Sequence, residues 1–201
     1  MAKSMQLAAL LAVLMLAGCG SSPKANFYTL TSAAPPLQAP AAAPYRIAIG
    51  IVTVPDVIDR PQIVTRTGAN QVTINEFARW AEPLQGEIPR VIAANLAREV
   101  EGALVSTFPQ SANVAADCKL LLEVQRFESV RGDAATVEVL WTLRPAKGES
   151  RSGRAVAREA TGGPGYDELV AAHGRALAAV SRDIAAAVQA VRARPEIGNA
   201  S

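Results

Sequence analysis

Two stretches of helical periodicity, each preceded by a series of short β-prone runs, constrain the fold of this chain more than any other feature. In the first, Ile88, Ile92, Leu96 and Val100 recur at intervals of four, with Val91 and Leu104 beside them and Arg90, Arg98 and Glu101 on the opposite face. In the second, Tyr166, Leu169, His173, Leu177, Val180, Ile184, Val188 and Val191 step by three or four until Arg194-Pro195 ends the pattern. Before the first helix, residues 46–54 read as a strand closed by Pro55, and residues 62–66 and 71–75 as the arms of a hairpin turning through Gly68, Ala69 and Asn70. Phe77-Ala78-Arg79-Trp80 then leads into the helix; Pro83 suits its first turn, whereas Pro89 fits only a helix that starts there or kinks. Before the second helix come strands at 119–129, 136–144 and 153–160, the middle one with Val137, Val139, Trp141 and Leu143 at alternate positions. The order is βββα-βββα. It predicts an α/β two-layer sandwich, a largely antiparallel sheet with both helices on one face.

The N-terminus carries a different kind of constraint. Lys3 precedes an uncharged apolar run at 7–16, which fits a secretory signal peptide and is too short for a permanent membrane span. The run closes on Leu16-Ala17-Gly18-Cys19, which resembles the lipobox of bacterial lipoproteins. That resemblance implies cleavage before Cys19, a diacylglycerol on its thiol, and a fatty acyl group such as palmitate on the new amino group. The alternative is an ordinary secreted protein whose cysteine happens to fall at this point. Gly20, where an aspartate would signal retention at the inner membrane, resembles an outer-membrane address in a host with two membranes. Residues 1–18 are thus expected to be a lipoprotein signal peptide, 19–44 a lipidated N-terminus with an Ala/Pro-rich tether, 45–194 a single domain, and 195–201 a tail. Within the tether, Phe27-Tyr28-Thr29-Leu30 is a β-prone island that either pairs with a sheet edge or stays free. The Ala/Pro run from Ser32 to Pro44 is expected to be extended and semi-stiff, a spacer between membrane and domain; it is a plain loop if the island docks.

Composition removes several function classes. Half the residues are hydrophobic and 19% are charged, enough for a core, and the formal charge of +2 gives nucleic acid no basis for binding. With Cys19 lipidated, Cys118 has no intrachain partner, and its apolar setting suits a buried, inert thiol. His173 is the only histidine and lies on the apolar stripe of the second helix, where a core-margin role is expected rather than catalysis. One histidine and one free cysteine support no zinc site, and 162–165 lacks the Lys-Ser/Thr ending of a phosphate loop. Asp56 and Asp59 read as turn residues. No catalytic, metal or cofactor-binding residue is therefore assigned. An enzyme would need a pocket gathering Asp59, His173 or Glu82.

The densest motif cluster lies between Val54 and Leu84. Val54-Pro55, Asp59-Arg60-Pro61-Gln62-Ile63-Val64 with Arg66, and Arg79-Trp80-Ala81-Glu82-Pro83-Leu84 resemble the ABC-type transport auxiliary lipoprotein (PqiC-like) family. Phe27-Tyr28-Thr29-Leu30 and Phe108-Pro109 fit the same pattern. The resemblance implies a non-enzymatic, outer-membrane-anchored component of an intermembrane lipid transport system, docked to an MCE-domain protein, with homo-oligomer formation expected by analogy with ring-shaped partners; direct phospholipid binding is a separate reading that would need an apolar cavity. An outer-membrane assembly lipoprotein, chaperone or pilot to another envelope protein, is the alternative. Candidate partner-binding residues are Arg60, Gln62, Arg66, Arg79 and Trp80, because Arg and Trp are enriched among interface anchors. The competing reading packs Trp80 beneath the sheet and pairs Arg79 locally with Glu82.

Overall fold

A computed structural model describes residues 24–32, 44–113 and 115–193. The signal peptide, Cys19, most of the Ala/Pro run and the tail lie outside the described residues. The elements in order are β1 (Asn26–Tyr28), β2 (Tyr45–Ile49), β3 (Gln62–Gly68), β4 (Gln71–Trp80), α1 (Leu84–Glu99), β5 (Ala103–Ser106), a 3-10 turn (Gln110–Asn113), β6 (Cys118–Val130), β7 (Ala134–Pro145), β8 (Arg151–Ala160) and α2 (Tyr166–Arg192).

The fold is mixed α/β, and its long strands pair antiparallel. The strands are divided between two sheets, ordered β1-β4-β3 and β5-β2-β6-β7-β8. Strands β6, β7 and β8 form an antiparallel meander, while β2 lies parallel to both β5 and β6. Alternation sorts the meander's faces: Leu122, Val124, Val137, Val139, Leu143, Ala155 and Ala157 point inward to the helices. Gly153 is opposite Trp141, whose indole fills the space a Cβ there would need, so the glycine is a packing requirement.

Several sequence boundaries move for identifiable reasons. The first strand is shorter than 46–54: it stops at Ile49, and beyond it only Thr53 makes an isolated bridge, to Glu123. The hairpin is longer, because β4 runs on to Trp80, where a lead-in to the helix was expected. Pro89 lies inside α1, which begins at Leu84 with Pro83 as its N-cap. Leu104 is not on the helix stripe. Gly102 adopts φ 69°, a left-handed conformation that ends the helical path, and Leu104 falls on the short edge strand β5.

For the β-prone island at 27–30, where pairing and a free tether were both open, the structure shows pairing. β1 pairs in parallel with β4, and Ala81 N–H donates to the Tyr28 carbonyl at 2.7 Å. Buried Glu87 of α1 accepts from Thr29 Oγ1 at 2.6 Å and from Leu30 N–H at 3.3 Å. Ser32 Oγ donates to Asn95 Oδ1, and Asn95 Nδ2 donates to Ser181 Oγ, so one buried amide links the segment to both helices. Gly174 admits the Thr31 carbonyl at 3.1 Å from where a Cβ would stand. The folded unit therefore includes 26–32, not only residues from 45 onward. The Ala/Pro run leaves and re-enters the chain at ends that both belong to the fold.

Candidate docking surface

The β3–β4 hairpin holds four of the five candidate contact residues, and its pairing decides which way each one faces. Gln62 pairs with Arg79, Val64 with Ile74, and Arg66 with Val72. Paired residues share a face, and Gln62, Val64 and Arg66 are alternate positions of β3, so all six lie on one face of the small sheet. The register slips between the first two pairs. There the Asn75 side chain accepts from Phe77 N–H at 2.8 Å and Ala78 N–H at 2.9 Å, stabilising a bulge. Phe77, two residues before Arg79, joins the same outer face, as does Phe27, the β1 partner of Arg79.

The candidates divide by their local engagement. Gln62 Nε2 and Arg79 Nη2 both reach Glu76 Oε2, at 3.2 and 3.1 Å, so the expected Arg79–Glu82 pair is replaced by one with Glu76. Glu82 instead pairs with Arg90 at 2.8 Å. Arg66 donates to the turn carbonyl of Ala69 at 2.8 Å and makes a 2.9 Å ion pair with Glu128 of β6, joining the hairpin to the large sheet. Arg60 is exposed just before β3. Beside Arg66 runs a groove of about 260 Å³, lined by Pro55, Val57, Ile58, Val64, Val72 and residues 125–129.

Trp80 points the other way. Only 4% exposed, it sits in the core with its indole edge-on to Phe127 and to His173, at centroid distances of 6.0 and 6.3 Å. His173 stacks on Phe127 at 3.9 Å, and its Nε2 shares a 2.8 Å hydrogen bond with Ser129 Oγ. Burial pushes the imidazole down to about 3, so it is neutral at ordinary pH. Asp59 accepts from Gln85 and Glu82 from Arg90, so these three side chains are committed to separate partners. Cys118 is a buried free thiol whose pKa is pushed up, chiefly by desolvation. Among the described residues, no group of three or more His, Cys, Asp and Glu side chains could hold a metal ion.

Sequence reasoning missed the apolar part of this face. Phe27, Phe77, Ile74 and Val72 are exposed, as is Val57 on the groove. The signal was present: with Ala78 and Trp80 facing inward, Phe77 and Arg79 must face out once β4 is extended past Asn75.

A family model described as the ABC-type transport auxiliary lipoprotein component matches residues 28–185. The chain belongs to this family. The auxiliary lipoprotein match begins within β1, in agreement with a folded unit that includes the N-terminal strand. The crystal structure of an uncharacterised protein is similar at TM-score 0.69 and 23% identity, covering 83% of this chain and 99% of that one. A Xanthomonas campestris protein of the family model DUF330 is similar at TM-score 0.63 and 22% identity, over 84% of this chain and 99% of its own. At these identities the two structures support the fold of this auxiliary lipoprotein alone. A search of curated proteins finds no match.

Proposed function

We propose that this protein is the outer-membrane component of an MCE-type, ABC-driven intermembrane lipid transport system, anchored through acylated Cys19 and acting as a docking part, not a catalyst. The observation that carries the reading is membership of a transport auxiliary lipoprotein family across nearly the whole folded unit. The geometry is compatible with a scaffold: the lone histidine is sealed beneath Trp80, and the acidic residues nearest the motif cluster are held in local pairs. The groove, at about 260 Å³, falls below the roughly 300–1,000 Å³ of ordinary small-molecule pockets, which favours docking over enclosure of a phospholipid. Within this reading Arg60, exposed just before β3, is the candidate contact toward the MCE-domain protein, and self-association would match the component to a ring-shaped partner.

Purification of the full-length lipidated protein from detergent-solubilised envelopes, with mass spectrometry of co-purifying proteins, tests this. Recovery of an MCE-domain protein, lost on Cys19→Ala, is the expected result. Recovery of an outer-membrane barrel or its assembly factors in its place would transfer the protein to an assembly role.

A further inference from the structure

The outer face of the β1-β4-β3 sheet gathers Phe27, Phe77, Ile74 and Val72, with Val57 at its margin; Phe27 and Phe77 are 66% and 47% exposed. Among the described residues Phe27 and Phe77 stand open, whereas Val72 and Val57 border the groove whose other wall is residues 125–129. Exposed aromatic and aliphatic side chains gathered on one sheet face suit a docking site, and the chain itself indicates the occupant. Because β1 is stitched into the fold, the Ala/Pro run cannot act as the spacer between lipid and domain. The tether is only the seven-residue step from Cys19 to Asn26, which reaches at most about 25 Å fully extended. Phe27 is one residue further on. The strand nearest the anchor is therefore the strand that carries the most exposed aromatic of this face.

We propose that this face rests on the bilayer holding the Cys19 lipid, with Phe27 and Phe77 seated among phospholipid headgroups and upper acyl chains. The inference rests on the anchored reading above and deepens it. Charge is consistent with such a contact. Segment 19–32 contains no acidic residue, Lys24 in the tether is exposed, and the carboxylate on this face, Glu76, is paired with Arg79. Aromatic side chains at a lipid–water boundary bury apolar area at a depth of a few ångströms, and a nearby lipid anchor raises their local concentration at the surface. The helical layer then points away from the membrane, since His173 of α2 lies against Trp80 on the inner side of the same sheet.

A nitroxide placed by Phe77→Cys in the full-length lipidated protein, reconstituted in phosphatidylethanolamine–phosphatidylglycerol vesicles, reads this contact. Arg182→Cys on the exposed side of α2 is the control, and Cys118 is buried and will not label. Phe27→Cys gives the same reading from the neighbouring strand if the Phe77 variant fails to accumulate. The expected result is a several-fold higher ratio of oxygen to water-soluble nickel accessibility at Phe77 than at Arg182, with the protein floating with vesicles. Floating protein with equal ratios overturns the bilayer contact and leaves the anchor standing. Protein that does not float overturns both. A Phe77 label shielded from both reagents, in detergent as in vesicles, assigns the face to a protein contact and overturns the proposal.

Discussion

His173 shows how one side chain can be titratable and yet unsuited to chemistry. It is fully buried, stacked on Phe127 and bonded to Ser129, and its Nδ1 has no hydrogen-bond partner among the described residues. Desolvation lowers its pKa from 6.5 to about 3. The unfolded chain therefore binds one more proton than the folded chain between these values, so stability rises with pH across that window. The histidine's contribution is complete above pH 6.5 and is lost as pH falls toward 3, at about 1.4 kcal/mol per pH unit. The double replacement His173→Phe, Ser129→Ala removes the titrating group and its hydroxyl partner together. Urea unfolding from pH 7 to pH 4 is expected to show a shallower loss of stability in this variant. Parallel pH profiles for variant and parent would contradict the burial account.

At the level of elements, the critical contact is between the N-terminal strand and α1. Glu87→Ala would leave Thr29 Oγ1 and Leu30 N–H without their acceptor, at a cost of about 1–3 kcal/mol, concentrated on residues 26–32. Amide exchange is expected to speed up across that segment with little change in β6–β8; a uniform change over the whole domain would mean that β1 is not a separable strap. Periodicity made the two helices and the meander legible, because each has one buried face long enough to impose a pattern. It could not place β1, a three-residue strand with two exposed positions whose stability comes from β4 and Glu87, far away in sequence. It also stopped β4 too early, since the Asn75 bulge breaks the alternation that would have carried the strand to Trp80. Leu104 happened to fall in phase with α1, and only the backbone reversal at Gly102 separates them. Trp80 was recognisable as an unusual residue, but its side of the sheet depended on that same bulge.

At the scale of the whole molecule, the docking of β1 changes the meaning of the N-terminal region. If Cys19 carries the proposed lipid, the spacer is the short step from Cys19 to β1, and the domain is held close to the membrane. The candidate contact residues separate accordingly: Gln62 and Arg79 are tied to Glu76 on the sheet face, Arg66 braces the two sheets through Glu128, and Trp80 supports the core. The proposed membrane placement, unlike these contacts, depends on lipid at Cys19. Intact-mass measurement of the mature protein from isolated outer membranes tests that dependence most directly. The account predicts a chain that begins at Cys19 and carries a diacylglycerol and an amide-linked acyl group, with Cys19→Ala absent from the membrane fraction. A mature chain with an unmodified Cys19, or one cut elsewhere and recovered in the soluble periplasmic fraction, would contradict it.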